Sequence, residues 1–298
     1  MVSPSLPSRA DTWHAPGDTW QVKELTLGIT FLSKQLGTNV GGPSLKLGTI
    51  NALLAAVDPA TAGNAPIDIH AVCGGALKSF SLVAGEMACD LGAPEVARIV
   101  EAIKKDFKPP ADLPMHKGKS ALVSFGIILR RMRHQKMSSL LVPLAGEAVA
   151  QGDAPLFGKL LDLEGQSLRM SGDFMITGDN GAQDALLDCA FAAAKALKLQ
   201  VHGRMLGGGG GGNVLTFVDS SNAALRERWE KETKSAYRAW ANSKFPGEGI
   251  EATVIVPAIS AGARLIPERP EQMKKAMALA AVGVLAAVAF VALRKMKK

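Results

Sequence analysis

Cysteine is scarce in this chain: Cys73, Cys89 and Cys189 stand far apart, in no C-x-x-C spacing and on apolar stretches. That excludes a disulfide framework and a cysteine-rich zinc site, and the three read as reduced core residues of an intracellular protein. Aromatic residues make up only 5% while apolar residues reach 47%, so the chain is globular and its core is mainly aliphatic. The first twenty residues hold Pro4, Pro7 and Pro16 and no apolar run. They lack the hydrophobic region of a secretory signal and read as a loose N-terminal arm. A concentrated basic face is missing as well. The net charge of +7 comes from the C-terminal end, where six of the 34 basic residues and none of the 27 acidic ones lie between Lys274 and Lys298, leaving 28 against 27 elsewhere. A nearly neutral body does not neutralise a phosphate backbone, so no nucleic-acid partner is expected.

What is there is organised around a run of six glycines, Gly207, Gly208, Gly209, Gly210, Gly211 and Gly212, followed at once by Asn213-Val214-Leu215-Thr216-Phe217-Val218-Asp219. On composition alone such a run also fits a flexible hinge. Its setting puts it inside a fold: a strongly apolar, alanine-rich helix is expected over 182–199, ending just before the glycine stretch, and a strand over 214–218 after it. Backbone N–H groups of a loop without side chains can converge on an anion, as glycine-rich phosphate loops do.

The 298 residues suffice for one large or two ordinary domains. Over 21–36 the pattern leaves helix or strand undecided. Gly41-Gly42-Pro43-Ser44 reads as a plain turn, because Lys46 and Leu47 stand where a phosphate loop would repeat small residues. Helices are expected over 49–57, ended by Asp58-Pro59, over 77–91, and over 95–107. The pattern from 124 to 150 is helical but interrupted at Pro143, with Arg130, Arg131, Arg133, His134 and Lys136 read as a solvated face. Gly152-Asp153 breaks that run before a helix over 154–168, and Ser220-Ser221-Asn222 starts one over 223–240 with charges of alternating sign. A last strand is expected over 251–256. Helix, glycine loop, strand, helix and strand make a compact α/β layer.

Five stretches in this order resemble the C-terminal part of galactokinases and, more broadly, of the GHMP small-molecule kinases. Arg131-Met132-Arg133-His134 with Glu147 to Asp153 looks like the family's arginine-histidine helix and its closing "A-x-x-x-G-D". Phe157-Gly158-Lys159-Leu160-Leu161 and Gln166-Ser167-Leu168-Arg169 look like "F-G-x-L-M" and "S-H-x-S-L-R". Asp184-Ala185-Leu186-Leu187 resembles the aspartate-led helix before the loop, residues 204–212 the "R-M-T-G-A-G-F-G-G" motif, and residues 256–263 the terminal "P-S-x-G-A". Gln166, Leu206 and Gly210 depart from the family's His, Thr and Phe. The resemblance implies an α+β fold with a GHMP-kinase C-terminal-like layer over 71–266, leaving 1–70 unassigned. It also implies ATP and Mg2+ as cofactors, a monosaccharide as substrate, and the six glycines as the cofactor-binding residues.

The family's N-terminal motifs, "R-x-N-L-I-G-E-H-x-D-Y", "G-L-S-S-S" and the aspartate of "M-D-Q", are absent before Ala71, so no catalytic residue is assigned. Phosphoryl transfer needs its charge stabilised and its nucleophile held in line, which one glycine loop does not supply. Two functions are therefore expected as alternatives. One is a divergent or incomplete sugar kinase, with a protein partner as one source of the missing catalytic half. The other is a catalytically inactive galactokinase-like binding or scaffold protein.

Residues 276–293 form 18 positions without charge or proline, bracketed by Lys274-Lys275 and by Arg294-Lys295-Met296-Lys297-Lys298. A helix of that length rises about 27 Å, enough for a thin bilayer. With 267–275 as linker, this predicts a single-pass C-terminal membrane anchor and a main domain facing the cytosol.

Overall fold

The computed structural model describes residues 2–4, 20–37, 45–59, 69–74, 77–113, 115–170, 181–206, 213–219 and 222–255. The Gly41–Ser44 turn, the six glycines, the stretch 256–263 and the apolar span 276–293 lie outside them. Among the described residues no helix is long and apolar enough to cross a membrane. The class is α+β: nine helices and four strands are described, and residues 1–255 fall within one compact unit.

The element left undecided is a helix, α1 (Trp20–Leu36). Its inward positions, among them Glu24, Gly28 and Leu32, recur at helical spacing. Helix α2 (Leu47–Val57) buries Leu47, Ile50, Leu53, Leu54 and Val57, and ends where Asp58 N–H donates to Leu54 O, just before Pro59. The expected long helix over 77–91 is short. After α3 (Ile69–Cys73), α4 covers only Phe80–Glu86, and Gly92 opens α5 (Ala93–Asp106) with Glu95 closing back on its backbone N–H.

Helix α6 (Ala121–Ala150) runs unbroken for 30 residues, starting at Ser120, whose hydroxyl accepts from Val123 N–H. Pro143 does not interrupt it. Proline costs the helix one backbone hydrogen bond, and packing outweighs that loss: α1, α2 and α5 cover one half of α6, and α3 and α7 share an apolar cluster with the other. In the first cluster Phe31, Phe107 and Phe125 meet edge to face, with centroids 4.9 to 5.5 Å apart.

The expected solvated face of α6 is instead buried. Arg131 is 1% exposed, and Arg133, His134 and Lys136 are buried as well. These side chains leave α6 on several sides, and spacing within one helix did not show that other helices lie there carrying carboxylates. Glu24 of α1 pairs with Arg131, Asp58 with Arg130 at 3.0 Å, and Glu86 with Lys136 at 2.9 Å. The cysteines also divide: Cys73 is buried, Cys189 is partly buried, and Cys89 is exposed.

Gln151, Gly152 (φ 70°) and Asp153 turn the chain back, and the Asp153 carboxylate accepts from Leu156 N–H to start α7 (Ala154–Met170). Helix α8 (Ala182–Leu197) follows. A strand that sequence patterning missed then intervenes, β2 (Gln200–Met205), so the glycines join two strands of a hairpin. β2 pairs antiparallel with β3 (Val214–Asp219) from Gln200↔Asp219 to Met205↔Val214. Six residues with a glycine-broken Val-His-Gly-Arg at their centre give too weak an alternation to read alone. Helix α9 (Ala223–Lys244) starts at Asn222 as expected, its side chain accepting from Leu225 N–H, and β4 (Ala252–Val254) closes the sheet.

The N-terminal segment is not wholly a loose arm. Val2–Pro4 is a strand, β1, and sits between β3 and β4, giving the order β2-β3-β1-β4. Three residues carry no period; they are placed by the unpaired backbone that β3 and β4 present. The pairs Met205↔Val214, Val2↔Val214 and Val2↔Val254 form one row across all four strands, at the level where the glycine run begins.

Helix α7 approaches β2 closely through two glycines. A Cβ built on Gly165 falls 2.7 Å from Gly203 O, and one on Gly158 falls 2.2 Å from the His202 ring. Gly146, on α6, has nothing within 4 Å of its built Cβ. Gly165→Ala is expected to lower stability by about 1–3 kcal/mol in urea unfolding, because backbone must move. Gly146→Ala is expected to raise it by about 0.5–1 kcal/mol through helix propensity. Equal effects at the two sites would show that the α7–β2 approach is not tight.

Candidate functional site

The stem of the glycine run is described even though the run itself is not. Leu206 N–H donates to Asn213 O at 2.8 Å, closing the hairpin one step beyond its last strand pair. Gln183, fully buried, donates through Nε2 to Leu206 O at 2.9 Å and to Asn213 O at 3.0 Å. One amide thus holds both ends of the run. Gln183 stands in the first turn of α8, whose N-cap Gly181 takes φ 72°, a conformation suited to glycine. The stem therefore lies beside a helix N-terminus, where unpaired N–H groups and the helix dipole favour negative charge.

Ionic contacts surround this stem. Arg204, on β2, pairs with Glu164 of α7 and donates through Nε to Met205 O at 3.0 Å; Ser138 of α6 also donates to Glu164, at 2.9 Å. Arg169 at the end of α7 holds Asp184 through Nε at 2.9 Å and Asp188 through Nη1 at 3.0 Å. Burial pushes the Asp184 carboxyl up, Arg169 opposes this, and Asp188 adds to it. His134 bonds Ser167 Oγ at 3.1 Å. Burial brings its pKa down to about 4; Glu164 acts in the opposite direction and Arg204 in the same one. His134 is therefore neutral near pH 7.

Beside the stem, a cleft of about 480 Å³ lies over β2 between α7 and α8, with Asp162, Arg169 and Lys195 among its lining. Asp162 accepts from His202 Nδ1 at 2.6 Å and from Gly203 N–H at 2.9 Å, so the His202 ring is oriented between Gly158 and Phe217.

The chain matches no family model, no curated protein and no solved structure.

The structure brings Arg204, His134, Ser167, Arg169 and Asp184 to the α7–α8–β2 corner at the foot of the glycine run, while Arg131 and Arg133 turn to other faces of α6. Sequence reading missed Gln183, since nothing in its local pattern marks a buried clamp. For nucleotide phosphates the described stem offers the start of α8, where N–H groups and the helix dipole favour negative charge, and the guanidinium of Arg204, which Glu164 already engages. A magnesium ion finds less: around the stem, Glu164, Asp184 and Asp188 are each engaged by an arginine, and among the described residues no three His, Cys, Asp or Glu gather as metal ligands.

A second cluster has the connectivity of an acyl-transfer triad. Ser124 Oγ and His116 Nδ1 lie 2.5 Å apart, and His116 Nε2 reaches Glu24 at 2.7 Å. Ser124 and Glu24 are 0% exposed, and Glu24 also binds Arg131. No substrate carbonyl reaches that hydroxyl, so the cluster ties α1 to α6 rather than performing chemistry.

Gln183→Leu is expected to lower stability by about 1–3 kcal/mol by leaving stem carbonyls short of a donor, and to speed amide exchange at Leu206. Unchanged exchange there would remove the clamp. For His134, the unfolded chain binds a proton below about pH 6.5 that the folded chain refuses until about pH 4. Its contribution to stability is thus full above pH 6.5 and lost as pH falls toward 4. His134→Gln should flatten that part of the stability–pH curve, and an unaltered slope would assign it to other groups.

Proposed function

We propose that this chain is a galactokinase-like, ATP-dependent sugar kinase of GHMP type, divergent in its catalytic half, whose glycine run receives the nucleotide phosphates. The single observation behind this reading is the Gln183 clamp. A run of six glycines is of little use as a binding element if its ends wander; here both ends are fastened to one buried amide at the start of α8. Backbone N–H groups on such a base meet phosphate oxygens with little reorganisation. Arg204 and Arg169 stand nearby, each held by carboxylates of α7 or α8, as guanidinium groups that a nucleotide phosphate would compete for. In this reading residues 276–293 hold the domain at a membrane, with its body on the cytosolic side.

One observation favours a second reading, a galactokinase-like binding module without turnover. The described carboxylates around the stem are already paired, Glu164 with Arg204, Asp184 and Asp188 with Arg169, and Asp162 with His202. None stands ready to take a proton from a sugar hydroxyl. A protein partner that contributes the missing carboxylate would restore the first reading.

Calorimetry on the full chain in detergent micelles separates these outcomes. Magnesium-dependent ATP binding is expected, weakened at least tenfold in the double variant Gly209→Val, Gly210→Val. ADP release on adding monosaccharides supports the kinase, whereas binding without release supports the module. A folded chain that does not bind ATP rejects both. Resistance of the full chain to alkaline extraction from membranes, lost when residues 276–293 are removed, is the expected outcome for the anchor.

A further inference from the structure

Four of the five basic side chains between residues 130 and 136 have a partner on another element: Arg130 bonds Asp58, Arg131 pairs with Glu24, His134 bonds Ser167, and Lys136 pairs with Glu86. Arg133 does not. It is only 9% exposed, and its Nη2 is shut off from solvent with no acceptor among the described residues. A guanidinium does not lose its charge at any ordinary pH, so burial without an anion is costly and calls for a counter-charge.

Helical register locates that side chain. Gly126 backs onto Val57 and Asp58, Arg130 bonds Asp58, and Met137 shares an apolar cluster with Leu47. These contacts make α2 antiparallel to α6, and they place Arg133, one turn before Met137, opposite the middle of α2. Asn51 stands there, and its side-chain oxygen is likewise buried without a donor. Both residues turn to the side where α4 ends. On α6 that side carries Lys136, which reaches Glu86, and on α2 it carries Gly48, whose built Cβ falls 2.3 Å from Met87 O. Among the described residues, the charged side chains on the facing stretches of α6, α2 and α4 are Arg130, Arg133 and Lys136 against Asp58 and Glu86, and Asp58 and Glu86 are taken by Arg130 and Lys136. Burial and Arg130 both push the Arg133 pKa down, the response of a guanidinium lacking its anion.

We propose that Arg133 and Asn51, facing each other from α6 and α2, form a binding site for a phosphate group. The amide of Asn51 presents its NH2 after a half-turn of its side chain. A tetrahedral oxyanion then accepts the guanidinium fork on two oxygens and keeps others for Asn51, whereas a carboxylate spends both oxygens on the arginine. This site lies on a different face of α6 from His134 and the glycine stem, and it stands whether or not the chain is a kinase. The phosphate can be free or part of an ester.

The test is thermal unfolding of the full chain with inorganic phosphate, against chloride at equal ionic strength, with ATP as a separate arm. Phosphate is expected to raise the wild-type Tm saturably. Arg133→Met should weaken the phosphate response at least tenfold, while its Tm without phosphate equals or exceeds that of the wild type, because an unpaired buried charge has gone. If Arg133→Met does not fold, Arg133→Lys, which keeps the charge and loses the fork, should weaken phosphate at least tenfold at an unchanged Tm. Response to phosphate identifies a site for the free anion, and an Arg133-dependent response to ATP alone identifies a site for an ester. The double variant Gly209→Val, Gly210→Val should leave the Arg133-dependent response intact, which separates this site from the glycine run. Equal responses of wild type and Arg133 variants to both phosphate and ATP, or wild-type responses to both that are no larger than that to chloride, would overturn the proposal.

Discussion

A cation taken out of water must be met by a negative group, and α6 takes several out of water within two turns. Desolvation costs several kcal/mol for each ion in a protein interior, and removing one partner of such a pair costs about 3–5 kcal/mol. The elements around α6 are consequently placed by their carboxylates as much as by their apolar faces. Glu24 brings α1 to Arg131 and at the same time accepts from His116; Asp58, at the end of α2, meets Arg130; Glu86, at the end of α4, meets Lys136. Aliphatic packing supplies the bulk of the burial, but it is indifferent to register, and the ion pairs select one.

The second constraint is the close seat of α7 on the sheet. Gly158 and Gly165 let the helix backbone come down onto His202 and Gly203, and Asp162 from the same helix bonds both the His202 ring and the Gly203 N–H. That contact couples the helical part of the molecule to β2. Through Glu164 and Arg204 it also couples α6 and α7 to the strand that leads into the glycine run. Gln183 completes the arrangement from the other side, so elements as distant in sequence as Ser138, Glu164, Gln183 and Asn213 bear on a few residues of hairpin stem.

Buried polar groups therefore have two uses in this protein. Where a buried cation faces a carboxylate, as Arg131 faces Glu24 in the cluster with His116 and Ser124, the network is sealed and structural, even though its connectivity resembles that of a hydrolase. Where a buried cation faces no described carboxylate, as at Arg133, the unmet charge is the basis of the phosphate site proposed above. Exposure and satisfaction, not residue type, separate the two.

The sequence by itself determined most of the longer helices and several of their ends: the Asp58-Pro59 stop, the Gly152-Asp153 turn, the Asn222 cap, strand β3, and the presence of a side-chain-free run before it. These depend on the dihedral preferences of proline and glycine, on side chains that bond their own backbone, and on apolar spacing, all of which act over a few residues. Tertiary structure decided the rest. It made Val2–Pro4 a strand inside the sheet, turned the helix-to-strand connection into a hairpin through β2, carried α6 through Pro143, and buried a face whose charges suggested water. Each of these depends on groups far away in the chain: backbone edges waiting for a strand, packing on both sides of a helix, and carboxylates that meet arginines only after the helices have come together.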